Sequence, residues 1–593
     1  MREKFLSFSK PSISEKEIEA NEPIVKRASP FIIAIACLIV LLIGSFDRDL
    51  WTPDEPRVAA IALEMSKTGQ YLIPHLAGTP FVEKPPLYFA VAAVFIKTIG
   101  QYTSDINAIR LTTVLFGIGT LVMTFLMAIR LYSGNRNLCV LSVAVLVTMV
   151  GFVVNFHWIR VDAALCFFVI AAVWSIGQAY IAHKIWYCIP AGLFSAGAFL
   201  SKGPIGPVLI VIPWFTLFVQ WFMSLKGNPA VNKVKIVGSH VAGLLVFLLL
   251  AGSWVLYLKT SGGTDLWNHW FWDNQVGRLS GTATELGHIR RGQPFYYLLQ
   301  MAGDTSPWFP LIIVWLGVIV TDLFKRRSIS QSDIFLLSWG MGTLLLLSLS
   351  ATKRGIYMAP LLPAFAMMCI PALNIVIQNK CIRRYAYFWG GLCVCLLAFF
   401  TFVPFAASHL PQSIPVPALA FLRNFGVRNF AAGAACLASL YILFSFGRQQ
   451  QVVVGMIFMT VFLNIGMFLV PVKAIDFAKS MRADTLKFTS PIPPEQRAYI
   501  AGYGFSETML GCFYFYAGWT VPQVTDRAHA NRILAQNDPQ YTSIIIAKKN
   551  SHRTKVIESI NQLAERPYQV LTAQPLGDKR MVFWIKGIDS FFP

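Results

Sequence analysis

Phe31-Ile-Ile-Ala-Ile-Ala-Cys-Leu-Ile-Val-Leu-Leu-Ile-Gly-Ser-Phe46 is followed within a few residues by Trp51-Thr52-Pro53-Asp54-Glu55-Pro56-Arg57. The first stretch is apolar and uncharged and reads as a membrane anchor. The second is charged and proline-bearing, so it has to leave the hydrocarbon core. Ahead of the anchor, residues 1–29 are polar and carry Arg2, Lys4, Lys10, Lys16, Lys26 and Arg27. No A-x-A site follows the apolar run, so it is not a cleavable signal. The expectation is a cytoplasmic tail (1–29), a first span, and then a loop on the opposite face.

Composition extends this reading to most of the chain. Length alone, 593 residues, would suggest about four soluble domains at ~150 residues each. Apolar residues make up 55% and charged residues only 13%, with a mean hydropathy of +0.56. A soluble domain carries roughly 25% charged residues, so this chain could not coat several of them. It is a polytopic membrane protein, and the same figures exclude disorder. The net charge of +21 would hint at nucleic acid in a soluble protein. Here it reflects Lys and Arg held in cytoplasmic loops, and no nucleic-acid partner is expected. The cysteines lie in or beside apolar runs without metal-ligand spacing. Only Cys512 falls in the polar C-terminal region, which therefore has no internal disulfide.

Apolar runs suited to spanning lie near 30–46, 108–130, 138–156, 162–182, 185–200, 204–224, 236–257, 307–323, 333–350, 356–378, 385–408, 429–446 and 451–472. The run 87–100 is ambiguous by length. If it lies on the membrane, the loops on the N-terminal side hold Arg130, Arg136, Lys184, Lys226, Lys233, Lys235, Lys325 to Arg327, Lys380, Arg383, Arg384 and Arg448. That is a positive-inside pattern; if it spans, every one of these loops flips. The expectation is about thirteen spans within 30–472, with the N-terminus inside and the C-terminus outside. The outer face then holds a first loop (47–107) with interfacial helices, a second large loop (258–306) and the region 473–593. In that last region Ala498–Tyr503, Tyr541–Ala547 and Arg580–Lys586 read as strands. Ser506–Tyr516, Arg527–Gln536 and Lys555–Glu565 read as helices. This predicts a small extracytoplasmic α/β domain.

Five charged clusters break the positive-inside rule on that outer face. They are Trp51 to Arg57, Glu83-Lys84, Arg160 to Asp162, Ser201-Lys202-Gly203-Pro204, and Lys353-Arg354 ahead of Tyr357. Ionisable groups at membrane boundaries are functional candidates by default. Arg57, Lys84, Arg160, Lys202, Lys353 and Arg354 have the chemistry to bind a lipid phosphate. Asp54, Glu55, Glu83 and Asp162 have that of a base, an orienter or a metal ligand. Each cluster also has a plainer reading: snorkelling for Lys353-Arg354, an internal pair for Arg160 and Asp162, a surface pair for Glu83-Lys84, and a helix N-cap for Asp54. Five coincidences on one face favour a shared site for an anionic lipid.

Asp54 to Leu76, then Gly78 to Pro86 with its Glu-Lys-Pro-Pro, resembles the GT-C superfamily of polyprenyl-phosphate-sugar glycosyltransferases. Within it the run looks like the protein O-mannosyltransferase-related branch, nearest the bacterial 4-amino-4-deoxy-L-arabinose lipid A transferases. Ser201 to Pro204, Phe271-Trp272, Arg278 and Lys353 to Pro360 match the same pattern, and the resemblance covers roughly 30–380. It implies that Asp54 is the catalytic aspartate with Glu55 beside it, and Asp162 a second acid. It implies that Arg57, Lys84 and Tyr357 hold undecaprenyl phosphate, joined in this sequence by Lys202, Lys353 and Arg354. It places a divalent ion at Glu83 with His269 as partner, although no cofactor is required. Two departures bear on the sugar and acceptor: Val58 stands where those enzymes often have Tyr, and Phe81-Val82 where they often have an aromatic pair.

The activity implied is transfer of a sugar from a polyprenyl phosphate carrier to an extracytoplasmic acceptor, with inversion. The sugar is aminoarabinose and the acceptor a lipid A phosphate; the alternative is another, mannose-like sugar placed on protein Ser/Thr or on lipopolysaccharide. The enzyme is expected to be a monomer in a bacterial inner membrane, surrounded by membrane lipids, with its site and C-terminus in the periplasm. A transporter of lipid-linked sugars would instead put charges near mid-bilayer and show two similar halves. An inactive assembly protein is the remaining rival.

Overall fold

The computed structural model describes residues 30–46, 48–224, 233–280, 282, 293, 295–378, 380–408, 426–445, 452–548, 553–564, 567–577 and 580–588. Among these, nine helices are long and apolar enough to cross a membrane, or up to ten if the bent pair Arg136–Val147 and Val150–Phe156 is one span. Pro30–Leu42, Leu87–Tyr102 and Phe309–Phe324 are shorter apolar helices. Each of the runs expected to span coincides with a helix, but several fall below spanning length. Leu87–Ile99 has 13 residues and reaches ~20 Å, less than a hydrocarbon core of ~30 Å.

The first loop is built around the helix Glu55–Thr68. Pro56 in its first turn suits the fixed φ of proline, Glu55 favours the positive end of the helix and Lys67 the negative end. Gly69, at φ 72°, ends it in the left-handed region. Asp54 occupies the N-cap position but makes no capping bond with its side chain. The plain capping role is therefore not what holds that carboxylate. A short ribbon, β1 (His75–Leu76) against β2 (Thr79–Pro80), then turns the chain toward Glu83.

The second large loop departs from expectation. Helix continues from Lys233 to Ser280, bent at Gly263 (φ 76°) and widened into π-helical turns at Leu248–Gly252 and His269–Val276. The reason is aromatic packing. Trp254 and Trp270 are buried together with Val82 and Phe199, and Trp267 stacks on Phe271 at 5.3 Å. These side chains give residues 264–280 an apolar face that keeps them against the bundle and positions Arg278.

The C-terminal region forms a five-stranded sheet from β3 (Ile500–Tyr503), β4 (Gln523–Val524), β5 (Ser543–Lys548), β6 (Tyr568–Pro575) and β7 (Met581–Gly587). Its order is β4-β3-β5-β7-β6, parallel on the β4-β3-β5 side and antiparallel on the β5-β7-β6 side. Two separate apolar clusters cover its two faces, one around Phe488, Cys512 and Phe513, the other around Ile533, Ile544 and Ile560. Helix Glu507–Ala517 lies directly on the first-loop helix. A Cβ on Gly511 would sit 2.7 Å from the Pro56 carbonyl group, so only glycine allows this approach. Thr508 Oγ1 donates to the Pro53 carbonyl at 2.8 Å, and Trp51 forms a β-bridge with Ser480. The sheet domain is thus fastened to the segment that carries Asp54.

Candidate active site

Adjacent residues Asp54 and Glu55 point into different surroundings. The Glu55 carboxylate is wholly buried and saturated. It pairs with Arg48 at 3.1 Å and Arg110 at 3.0 Å, and it accepts the backbone N–H groups of Trp51 (2.7 Å) and Ile159 (2.9 Å). Burial would raise its pKa, but Arg110, Arg48 and these two amides hold it below the ordinary carboxylate value. Glu55 was expected beside the reacting atoms. Its geometry instead makes it the tie between the first loop, the helix of Arg110 and the 157–161 turn.

Asp54 faces a cleft lined with cations. Arg57 Nη2 lies 3.2 Å from it, Arg160 Nη2 3.6 Å and Arg354 Nη2 4.0 Å. Burial opposes its ionisation, yet Arg57, Lys84, Arg160 and Arg354 outweigh burial and hold its pKa below the usual value. Arg57 is shared. Its Nη1 reaches Glu83 at 3.3 Å and also contacts Glu507 of the sheet domain. Glu83 binds Arg278 at 2.5 Å through its other oxygen. Burial alone would raise the Glu83 pKa, but Lys84, Arg57 and Arg278 hold it far below the carboxylate range.

Lys84 is the cation without a fixed partner. Among the described residues it makes no hydrogen bond or ion pair, and burial pushes its ammonium down to about 8 against the pull of Glu83. Asp162 pairs with Lys202, whose ammonium also lies 4.4 Å over the Tyr357 ring. Tyr357 in turn bonds Arg278. Lys353 is buried and donates to the Ser350 carbonyl at 2.6 Å, which ties that ammonium to its own loop.

The structure therefore gathers Asp54, Arg57, Glu83, Lys84, Asp162, Lys202, Arg354 and Tyr357, with Arg160 and Arg278, into one charged cleft. The metal expectation at Glu83 and His269 does not fit. Both Glu83 oxygens are taken by guanidinium groups. His269 pairs with Asp273 at 3.3 Å in an exposed position, with 57% of its side chain accessible. Among the described residues no group of three or more His, Cys, Asp or Glu is arranged to hold a metal ion. Sequence reasoning missed Glu507, Arg48 and Arg110. Arg48 and Arg110 sit at a loop start and on a spanning helix, and only the fold brings them to Glu55.

Against solved structures, the chain superimposes on ArnT from Cupriavidus metallidurans bound to undecaprenyl phosphate with a TM-score of 0.66 and 18% identity, over 93% of this chain and 97% of that one. The fold is of the GT-C type. Residues 83–257 match the family model described as dolichyl-phosphate-mannose-protein mannosyltransferase, a stretch that runs from Glu83 into the helix that carries Trp254. A relative from Edwardsiella ictaluri, named undecaprenyl phosphate-alpha-4-amino-4-deoxy-L-arabinose arabinosyl transferase, is 28% identical over 72% of this chain and 78% of its own length. One of the same name from Serratia proteamaculans is 26% identical over 72% of this chain and 78% of its own length. With its nine or more long apolar helices among the described residues, the chain is a multi-pass membrane protein.

Proposed function

We propose that this chain is a bacterial inner-membrane glycosyltransferase that moves 4-amino-4-deoxy-L-arabinose from undecaprenyl phosphate to a lipid A phosphate on the periplasmic face. The observation that carries the reading is the cleft itself, one carboxylate, Asp54, set among Arg57, Arg160, Arg354 and Lys84. The names of the relatives and the GT-C fold support the donor class.

The donor phosphate sits against Arg57 and Lys84. An acceptor oxygen attacks the anomeric carbon from the opposite side as the bond from that carbon to the phosphate oxygen breaks. The electron pair leaves with the undecaprenyl phosphate, and the anomeric centre inverts. Arg57 and Lys84 face the phosphate as it gains charge, so they stabilise the transition state electrostatically. Lys202 and Tyr357, linked through Asp162 and Arg278, form the next wall. Glu55 is a positioning residue that fixes the backbone on either side of Asp54.

The low pKa of Asp54 bears on the acceptor. A base held below the usual carboxylate range takes a proton from a hydroxyl poorly. A phosphate acceptor is already an anion and needs only to be oriented. The cleft thus favours a phosphate over a protein Ser/Thr. The description of the matched family model favours the second reading, a mannose-like sugar on protein. Mass analysis of lipid A and of envelope proteins, with and without the gene, separates the two. Added aminoarabinose on lipid A supports the first, and glycosylated protein with unmodified lipid A overturns it.

A further inference from the structure

Three carboxylates hold the Arg57 guanidinium, and they are not equivalent. Asp54 and Glu83 come from the same first loop and are 16% and 11% exposed, whereas Glu507 comes from the sheet domain and is 50% exposed. Asp54 and Glu83 are further held by Arg160, Arg354 and Arg278. Among the described residues, Arg57 is the sole ion-pair partner of Glu507. Glu507 opens its helix, with Ser506 as N-cap, and the helix is seated on Pro53 and Pro56 through Thr508 and Gly511.

We propose that Glu507 occupies the Arg57 position that an anionic phosphate takes, so that donor and sheet domain compete for one guanidinium. This rests on the reading that the donor phosphate binds Arg57 and Lys84. A phosphate oxygen approaching Arg57 Nη1 meets Glu83 and Glu507 already on that nitrogen, and the repulsion from a third anion at close range displaces one of them. Glu507 is the partner that yields, because it is the most exposed and, among the described residues, has no second cation. Its release leaves the first turn of Glu507–Ala517 with a free acid and weakens the grip of that helix on the first loop. Donor arrival is thereby felt by the sheet domain, and Glu507 sets the threshold for donor binding. It is a positioning residue acting through Arg57.

The test is binding of undecaprenyl phosphate to the full-length protein in detergent, together with donor KM and kcat. Glu507→Gln should tighten undecaprenyl phosphate binding and lower the donor KM by about three- to tenfold, as expected for loss of one competing charge contact, without raising kcat. Glu507→Asp keeps the helix-end charge but withdraws its reach from Arg57, and should move the same way by a smaller amount. A change in both variants then reports the lost contact and not the helix end. Lys84→Ala, made in parallel, should abolish most of the binding. If Glu507→Gln and Glu507→Asp leave binding unchanged or weaken it while Lys84→Ala removes it, the competition is wrong and the donor site stands. If Lys84→Ala and Arg57→Ala also bind as wild type, the donor site itself fails and the competition falls with it.

Discussion

Lys84 offers the sharpest test at the scale of single residues, because among the described residues it is the cleft cation with no hydrogen-bond or ion-pair partner. Its pKa is pushed down to about 8 by burial, so the ammonium is charged below that pH and neutral above it. Donor KM is expected to rise as the pH passes through about 8. In Lys84→Arg the cation persists, and the rise should flatten although the fork does not replace the point charge fully. A pH profile of KM that is the same in both proteins would remove Lys84 from the phosphate. Lys84→Ala and Arg57→Ala should each lose on the order of 2 kcal/mol in kcat/KM at neutral pH, as for charge-assisted hydrogen bonds. Asp54→Asn keeps shape but removes the charge that positions Arg57, Arg160 and Arg354, and is expected to cut turnover about 100-fold with donor binding retained. Most of this cleft was legible in sequence because ionisable groups in short junctions at membrane boundaries are costly and mark candidate sites. What was not legible is which of two adjacent acids faces the cleft. Asp54 and Glu55 share one motif, and only Arg48 and Arg110, brought in by the fold, show that Glu55 is sealed beneath it.

At the scale of elements, the contact of helix Glu507–Ala517 with the first-loop helix is set by the absence of a side chain. Replacing glycine by alanine within a helix ordinarily stabilises by roughly 1 kcal/mol. At Gly511 the sign should reverse, because the added Cβ would meet the Pro56 backbone at 2.7 Å, and overpacking costs about 1–3 kcal/mol. Gly391, inside the helix Lys380–Ser408 with nothing within 4 Å, is the control and should be neutral or stabilising. Thermal unfolding in detergent reads both. Glu55→Gln should be worse than either, losing about 3–5 kcal/mol, since it leaves Arg48 and Arg110 buried without their carboxylate. The strands and helices of the sheet domain were visible as alternating short apolar and amphipathic runs. β4 was hidden because two residues make no pattern, and β6 because its side chains are mostly exposed or half-buried. Helix through residues 264–280 was hidden for another reason. The polar residues Asn268, Asp273 and Gln275 imply a loop, and the packing of Trp270 and Phe271 overrides them.

At the scale of the whole molecule, the cleft, the sheet domain and the first loop share one end of the helical bundle. Helix Asp105–Leu131 begins beside this end, where Asp105 lines a cavity with Asp476 and Arg482 of the C-terminal part. Its 27 residues carry the chain ~40 Å away, to Arg130 and Arg136. A chain whose short loops are basic at one end keeps that end in the cytoplasm. On that expectation the cleft opens outside, where nucleotide-sugars are absent, which is the orientation the proposed lipid-linked donor requires. Placement of the sheet domain therefore decides the donor class as well as the topology. A single cysteine at Tyr499, 55% exposed on the sheet domain, should react with a membrane-impermeant maleimide in cells whose outer envelope alone has been opened. A cysteine at Arg326, in the loop after Phe309–Phe324, should react only once the inner membrane is broken. Both are made with the exposed Cys381 and Cys395 changed to serine, so that the label reports the introduced thiol. The reverse pattern would put the cleft in the cytoplasm, in reach of soluble nucleotide-sugars, and would remove the need for a lipid-linked donor.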